Sequence, residues 1–166
     1  MTFFTAHYNS PLGGMTMASD GQALAALWFD GTREEARFAD KTSTTKALPV
    51  FDETRRWLDL YFAGEQPDFV PLLAPKGPPF RRKVWDVLLT IPYGETRSYG
   101  EIAQCISPKM SAQAVGGAVG SNPIGLIIPC HRVIGADGSL TGYGGGLDRK
   151  RWLLELECPI YNNGVM

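Results

Sequence analysis

At 166 residues, with 44% hydrophobic and 20% charged side chains, the chain can bury the core of one domain or two small ones. Its 16 Lys and Arg against 17 Asp and Glu exclude a bulk polycation, and its three well-separated cysteines (Cys105, Cys130, Cys158) exclude a disulfide framework. Two histidines are too few for a zinc site, so neither a metal nor another cofactor is expected.

The opening MTFFTAHYNSPLGGM has no basic stretch leading into an apolar core, and no apolar run reaches the length of a membrane span. The expectation is a reducing, cytoplasmic location without membrane contact. Met15 to Ser19 and Ala23 to Phe29 are short apolar runs split by Asp20-Gly21, which predicts a hairpin or meander. Phe51, Thr54, Trp57, Leu58, Tyr61 and Phe62 recur at helical spacing, and Gly64 stands where a helix stops. PLLAPKGPPF, Pro71 to Phe80, is too rich in proline for an element and marks a domain boundary. The expected division is residues 1–77, a small α/β domain, and residues 78–166, mostly helical. Their charges differ: the first holds 7 basic and 10 acidic residues, the second 9 and 7. The difference has the direction expected if only the second meets an anion.

In the second part Phe80, Val84, Trp85 and Leu88 make one helix face, ending near Ile91-Pro92-Tyr93-Gly94. Ser98 with Glu101 is a capping box for a short helix to about Ile106. After the break Ser107 to Met110, SAQAVGGAVG opens a second helix that runs to Asn122-Pro123. Two short helices across such a break fit a helix-turn-helix, or an ordinary packed helix pair. The second helix offers only Gln113 as a base-reading side chain among Ala, Val and Gly. That composition suits tight helix packing, or a smooth helix laid on DNA with little interest in sequence. Gly135 to Gly138 is a turn, and Asp148 is expected to cap a last helix through Glu157.

Between these lies LIIPCHRVIG, Leu126 to Gly135. Pro129 has no N–H and a fixed φ, so Cys130 and His131 belong where an element ends. A lone cysteine is more often a small buried hydrophobe than a nucleophile. Here the adjacent His131, the flanking Pro129 and the polar Arg132 favour the nucleophile, since a basic neighbourhood raises the thiolate fraction. In extended chain neighbouring side chains point apart. Direct Cys–His contact therefore needs a bend, or a bridging water.

IPCHRVIG, with SYGEIA upstream, AVGGAVGSNP between and TGYGGGLDRKRWLLELE downstream, resembles the O⁶-alkylguanine-DNA alkyltransferases. The match covers about residues 79–157 in the expected order, and more loosely the opening hairpin and Tyr61-Phe62-Ala63-Gly64. The resemblance implies an RNase-H-like N-terminal α/β domain and a helix-turn-helix C-terminal domain. It implies a monomer that binds double-stranded DNA through the minor groove, flips out an alkylated guanine and moves the alkyl group onto its own cysteine. Cys130 falls on the alkyl acceptor, His131 on the base acting through a water, and Glu157 on the group that orients the imidazole. Asn122 matches the asparagine bracing the turn before the cysteine, and Tyr99 the donor to a guanine ring nitrogen. Tyr143 and Gly144 match the loop closing over the base, and Lys150 a lysine near it. Ser121, Gln113 and Arg132 are expected on the DNA or substrate side.

Two departures stand out. Gln113 occupies the position of the arginine that usually enters the base stack, and Gly144 that of a serine in some members. A cysteine hydrolase built on Cys130, His131 and Glu157 is a rival, and it predicts many turnovers. A lesion-marking protein without activity is another, and such relatives replace the cysteine that this chain keeps.

Overall fold

The computed structural model of the chain describes residues 3–33, 35 and 43–158. It divides into two compact units, residues 1–76 with 123–125, and residues 77–122 with 126–166.

The first unit is built on a four-stranded sheet. β1 (Phe3–Ser10), β2 (Gly13–Ser19) and β3 (Leu24–Phe29) form an antiparallel meander, and β4 (Ser43–Thr45) lies parallel to β1, giving the order β3-β2-β1-β4. The predicted runs around Asp20-Gly21 are β2 and β3. The Asp20 carboxylate accepts the Gln22 and Ala23 N–H groups, which locks the connection. β3 reads LAALWF and is buried at every position, so its apolar run is continuous rather than alternating. Its outer edge is paired in two pieces. Leu24 exchanges hydrogen bonds with Leu72 and Ala74, and Leu27 with Pro123 and Gly125. Residues 123–125 therefore belong to the first unit, which the expected single cut between 77 and 78 did not include.

Helix α1 (Pro49–Phe62) turns Val50, Phe51, Thr54, Trp57, Leu58 and Tyr61 inward, as the periodicity predicts. Pro49 opens it at a position where no N–H is needed. Gly64 closes it with φ 86°, its N–H reaching Tyr61 O while Glu65 N reaches Leu60 O. This left-handed exit is available to glycine at little cost.

The second unit packs α2 (Pro79–Leu88), α3 (Tyr99–Ile106) and α4 (Ala112–Gly120) against one another. Trp85 of α2 is buried, and its Nε1 donates to Ala118 O of α4 at 2.9 Å. Its ring also blocks Gly77, where a Cβ would sit 2.6 Å from Cη2. The Ser98–Glu101 capping box forms with both of its bonds, and Ser111 caps α4 by accepting from Ala114 N. Strands β5 (Arg97–Ser98) and β6 (Val133–Ile134) form a short parallel pair that joins the start of α3 to the segment after the Cys-His turn. Helix α5 (Leu147–Glu157) starts one residue before the expected cap. Gly146 takes the cap position, and Asp148 lies in the first turn, where its charge favours the positive end of the helix.

Candidate active site

The proline sets the geometry of the Cys-His segment. Pro129 has φ −81° and ψ 65°, and Cys130 N donates to Ile128 O at 2.8 Å, the pattern of an inverse γ-turn. The chain then enters a single 3₁₀ turn, Cys130–Arg132, in which Arg132 N bonds to Pro129 O. A bend is thus present at the cysteine, one of the two arrangements the sequence left open beside a bridging water. Cys130 is half-buried at its head, and His131 is wholly buried. Asn122 pins the approach: its Nδ2 donates to Ile128 O at 2.8 Å, so one carbonyl holds both the asparagine and the cysteine amide.

Behind the thiol stands a buried charge network. Glu157, at the end of α5, accepts from His131 Nε2 at 2.6 Å, from Arg132 Nε at 2.7 Å and Nη2 at 3.1 Å, and from Gly94 N at 3.2 Å. Arg132 Nη1 donates to Ile91 O at 2.8 Å, and its guanidinium lies 5.7 Å from the Tyr93 ring centre. Burial alone would raise the Glu157 carboxyl, but His131 and Arg132 hold it well below the usual carboxylate range. Burial pushes the His131 imidazole below its ordinary value, with Arg132 and Lys150 acting the same way against the pull of Glu157. The consistent charge state is a carboxylate paired with the permanent charge of Arg132 and a neutral imidazole. Glu157 can only accept, so Nε2 carries the proton and Nδ1 is the acceptor nitrogen.

Lys150 forms a second brace. It is fully buried, and Nζ donates to Val133 O at 2.6 Å and Thr141 O at 2.7 Å. Burial pushes its ammonium down from 10.5 to about 8, against the opposing attraction of Cys130. Burial, and secondarily the Cys130 charge, raise the Tyr143 phenol well above its usual range. Thr141 Oγ1 donates to Tyr99 Oη at 3.1 Å. Hydrogen bonds thus join His131 and Arg132 to Glu157, and a second set joins Lys150 to Thr141 and Thr141 to Tyr99.

Three residues expected on the DNA or substrate side are turned into the interior, Lys150 while remaining beside the site. Arg132 is buried and spends its donors on Glu157 and Ile91, because a carboxylate in a dry interior needs a fixed cation. Lys150 likewise points inward. Ser121 is buried and its hydroxyl closes α4 on Ala118 O. Gln113 is exposed on α4 beside Ala112, Ala114, Gly117 and Gly120, a face without bulk, and Gly144 is exposed in the loop. Sequence reasoning missed Ile91 O, Gly94 N and Thr141. Backbone groups carry no residue-type signal, and a threonine in a glycine-rich loop looks like any loop residue.

Comparison with known proteins decides the family. Residues 79–158 match the DNA binding domain of 6-O-methylguanine DNA methyltransferase, and residues 4–73 match its ribonuclease-like domain. The chain belongs to the 6-O-methylguanine DNA methyltransferase family. A methylated-DNA–protein-cysteine methyltransferase of Mycobacterium bovis is 51% identical over 91% of this chain and 92% of its own. One from Haemophilus influenzae is 43% identical over 98% and 90%. Among solved structures, Mycobacterium tuberculosis OGT in complex with DNA has a TM-score of 0.83 at 48% identity, covering 93% of this chain and 92% of that one. An O6-methylguanine DNA methyltransferase from Methanococcus jannaschii has a TM-score of 0.63 at 32% identity, covering 92% of each. The mixed fold expected from the sequence, a sheet-based first part and a helical second, is that of these methyltransferases. Among the described residues no helix is long and apolar enough to cross a membrane.

Proposed function

We propose that this methyltransferase repairs DNA by moving the alkyl group of O⁶-alkylguanine onto its own Cys130, once per molecule. The observation that carries the reading is the half-buried Cys130 at the head of a braced turn, backed by a neutral His131 whose proton is fixed by Glu157. A neutral thiol is a poor nucleophile. His131 Nδ1 takes the thiol proton through a water, and the Lys150 charge favours the thiolate that forms. The sulfur then bonds to the alkyl carbon as the carbon–oxygen bond breaks. Its electron pair stays with guanine, where Tyr99 donates to a ring nitrogen as negative charge develops. The proton lost by the thiol balances the proton that guanine gains. The product is a thioether, and no second acceptor is provided to clear it.

The bare face of α4 suits close approach to duplex DNA, with Gln113 entering the stack as the damaged guanine leaves it. Tyr143 and Gly144 lie in the loop that closes on the base. Of the nine basic residues from 78 onward, Arg132 and Lys150 are buried, so the remaining cations alone can displace counterions. The protein works as a monomer in the cytoplasm. Incubation with a duplex carrying one O⁶-methylguanine, followed by intact-mass analysis, should show one methyl group per molecule on Cys130 and none on Cys130→Ser. Turnover beyond one equivalent would favour a hydrolase and refute the proposal.

A further inference from the structure

We infer that Thr141 is a positioning residue for the transfer: its hydroxyl donates to Tyr99 Oη and thereby turns the single phenolic proton of Tyr99 toward the departing base. The inference rests on the reading of Cys130 as alkyl acceptor and Tyr99 as donor.

The contact is built from both ends. Thr141 belongs to an exposed loop, yet its carbonyl is held at 2.7 Å by the buried Lys150 Nζ. The same Nζ holds Val133 O, one residue beyond the turn that carries Cys130. The place of Thr141 is therefore referenced to the cysteine segment and not to the loop alone. On the other side, a Cβ at Gly116 would lie 3.8 Å from Tyr99 Cδ1, so the tyrosine ring rests against the bare backbone of α4. Ring and hydroxyl are fixed by different elements.

A phenol has one proton to give. When the Thr141 hydroxyl fills an acceptor position on Oη, that proton must point away from Thr141. Only the donating orientation stabilises negative charge on a leaving guanine, and a hydroxyl that already accepts a hydrogen bond donates more strongly. Threonine is suited to the task because its branched Cβ restricts χ1. Valine has the same shape without the hydroxyl, and serine keeps the hydroxyl without the branch.

The experiment compares single-turnover transfer from O⁶-methylguanine duplex DNA for wild type, Thr141→Val, Thr141→Ser, Tyr99→Phe and the Thr141→Val/Tyr99→Phe double variant. Duplex affinity and melting temperature are measured for each. Thr141→Val should transfer about three- to tenfold more slowly, the worth of one neutral hydrogen bond. Thr141→Ser should recover most of the rate. In the Tyr99→Phe background Thr141→Val should cause no further loss, because no phenolic proton remains to be turned. Equal losses in both backgrounds, or a serine variant as slow as the valine one, would show that Thr141 serves the loop and would overturn the inference. A wild-type protein that never methylates Cys130 would instead remove the functional reading beneath it.

Discussion

Replacing Lys150 by methionine removes a buried ammonium while keeping an unbranched side chain of similar length. In the folded chain this group loses its proton at about 8, against 10.5 when free. Between those values the unfolded chain holds a proton that the folded one does not, so stability rises with pH there. The destabilising contribution is complete below about 8 and fades as pH climbs toward 10.5. Each pH unit in that window is worth about 1.4 kcal/mol. Wild type should therefore gain about 2 kcal/mol relative to Lys150→Met between pH 7.5 and pH 9.5, since methionine does not titrate. The neutral amine keeps N–H donors for both carbonyls, so the brace itself survives the change. Urea unfolding of both proteins at the two pH values measures the difference directly. A gap that stays constant within about 0.5 kcal/mol, or moves the other way, would show that Lys150 is solvated and not buried as described.

Other expectations follow from the same framework. Glu157→Gln leaves the buried Arg132 without its counter-charge and should cost about 3–5 kcal/mol at neutral pH, read by chemical denaturation. Because the Glu157 carboxyl is held low, its contribution is present above the ordinary carboxylate range and lost as pH falls, so this gap should narrow in acid. Asn122→Ala removes one of the two donors to Ile128 O and should cost about 0.5–1.5 kcal/mol, with slower transfer to Cys130 as the turn loosens. Gln113→Arg should speed methyl transfer from duplex DNA, where extrusion takes a few kcal/mol, and scarcely change transfer from free O⁶-benzylguanine. Equal effects on both substrates would remove the flipping role.

What the sequence disclosed was mostly local. The capping box at Ser98–Glu101, the glycine exit at Gly64 and the element end at Pro129 each depend on a few neighbouring residues, and each forms as spelled. β1 was missed because FFTAHYNS neither alternates cleanly nor runs apolar, and β5 and β6 are two residues each, too short for any pattern. The charged site residues misled for a physical reason. Arg and Lys are almost never buried unless paired, so Arg132 and Lys150 read as surface contacts. Their partners lie far away in sequence: Glu157 is 25 residues from Arg132, and Val133 O is 17 from Lys150. Only the fold brings these groups together.

The two-piece pairing of β3 bears on how the chain is made. A strand buried at every position, LAALWF, waits for residues 72–74 to cover one half of its outer edge and for residues 123–125 to cover the other. On the ribosome the first of these emerges early, and the second only after about three-quarters of the chain has been synthesised. Until then an apolar edge strand stands half open, the template on which nascent chains pair with one another. The interval between translating residues 74 and 125 is therefore when β3 is most open to pairing with another chain. A truncation ending anywhere inside it should aggregate through β3 rather than fold.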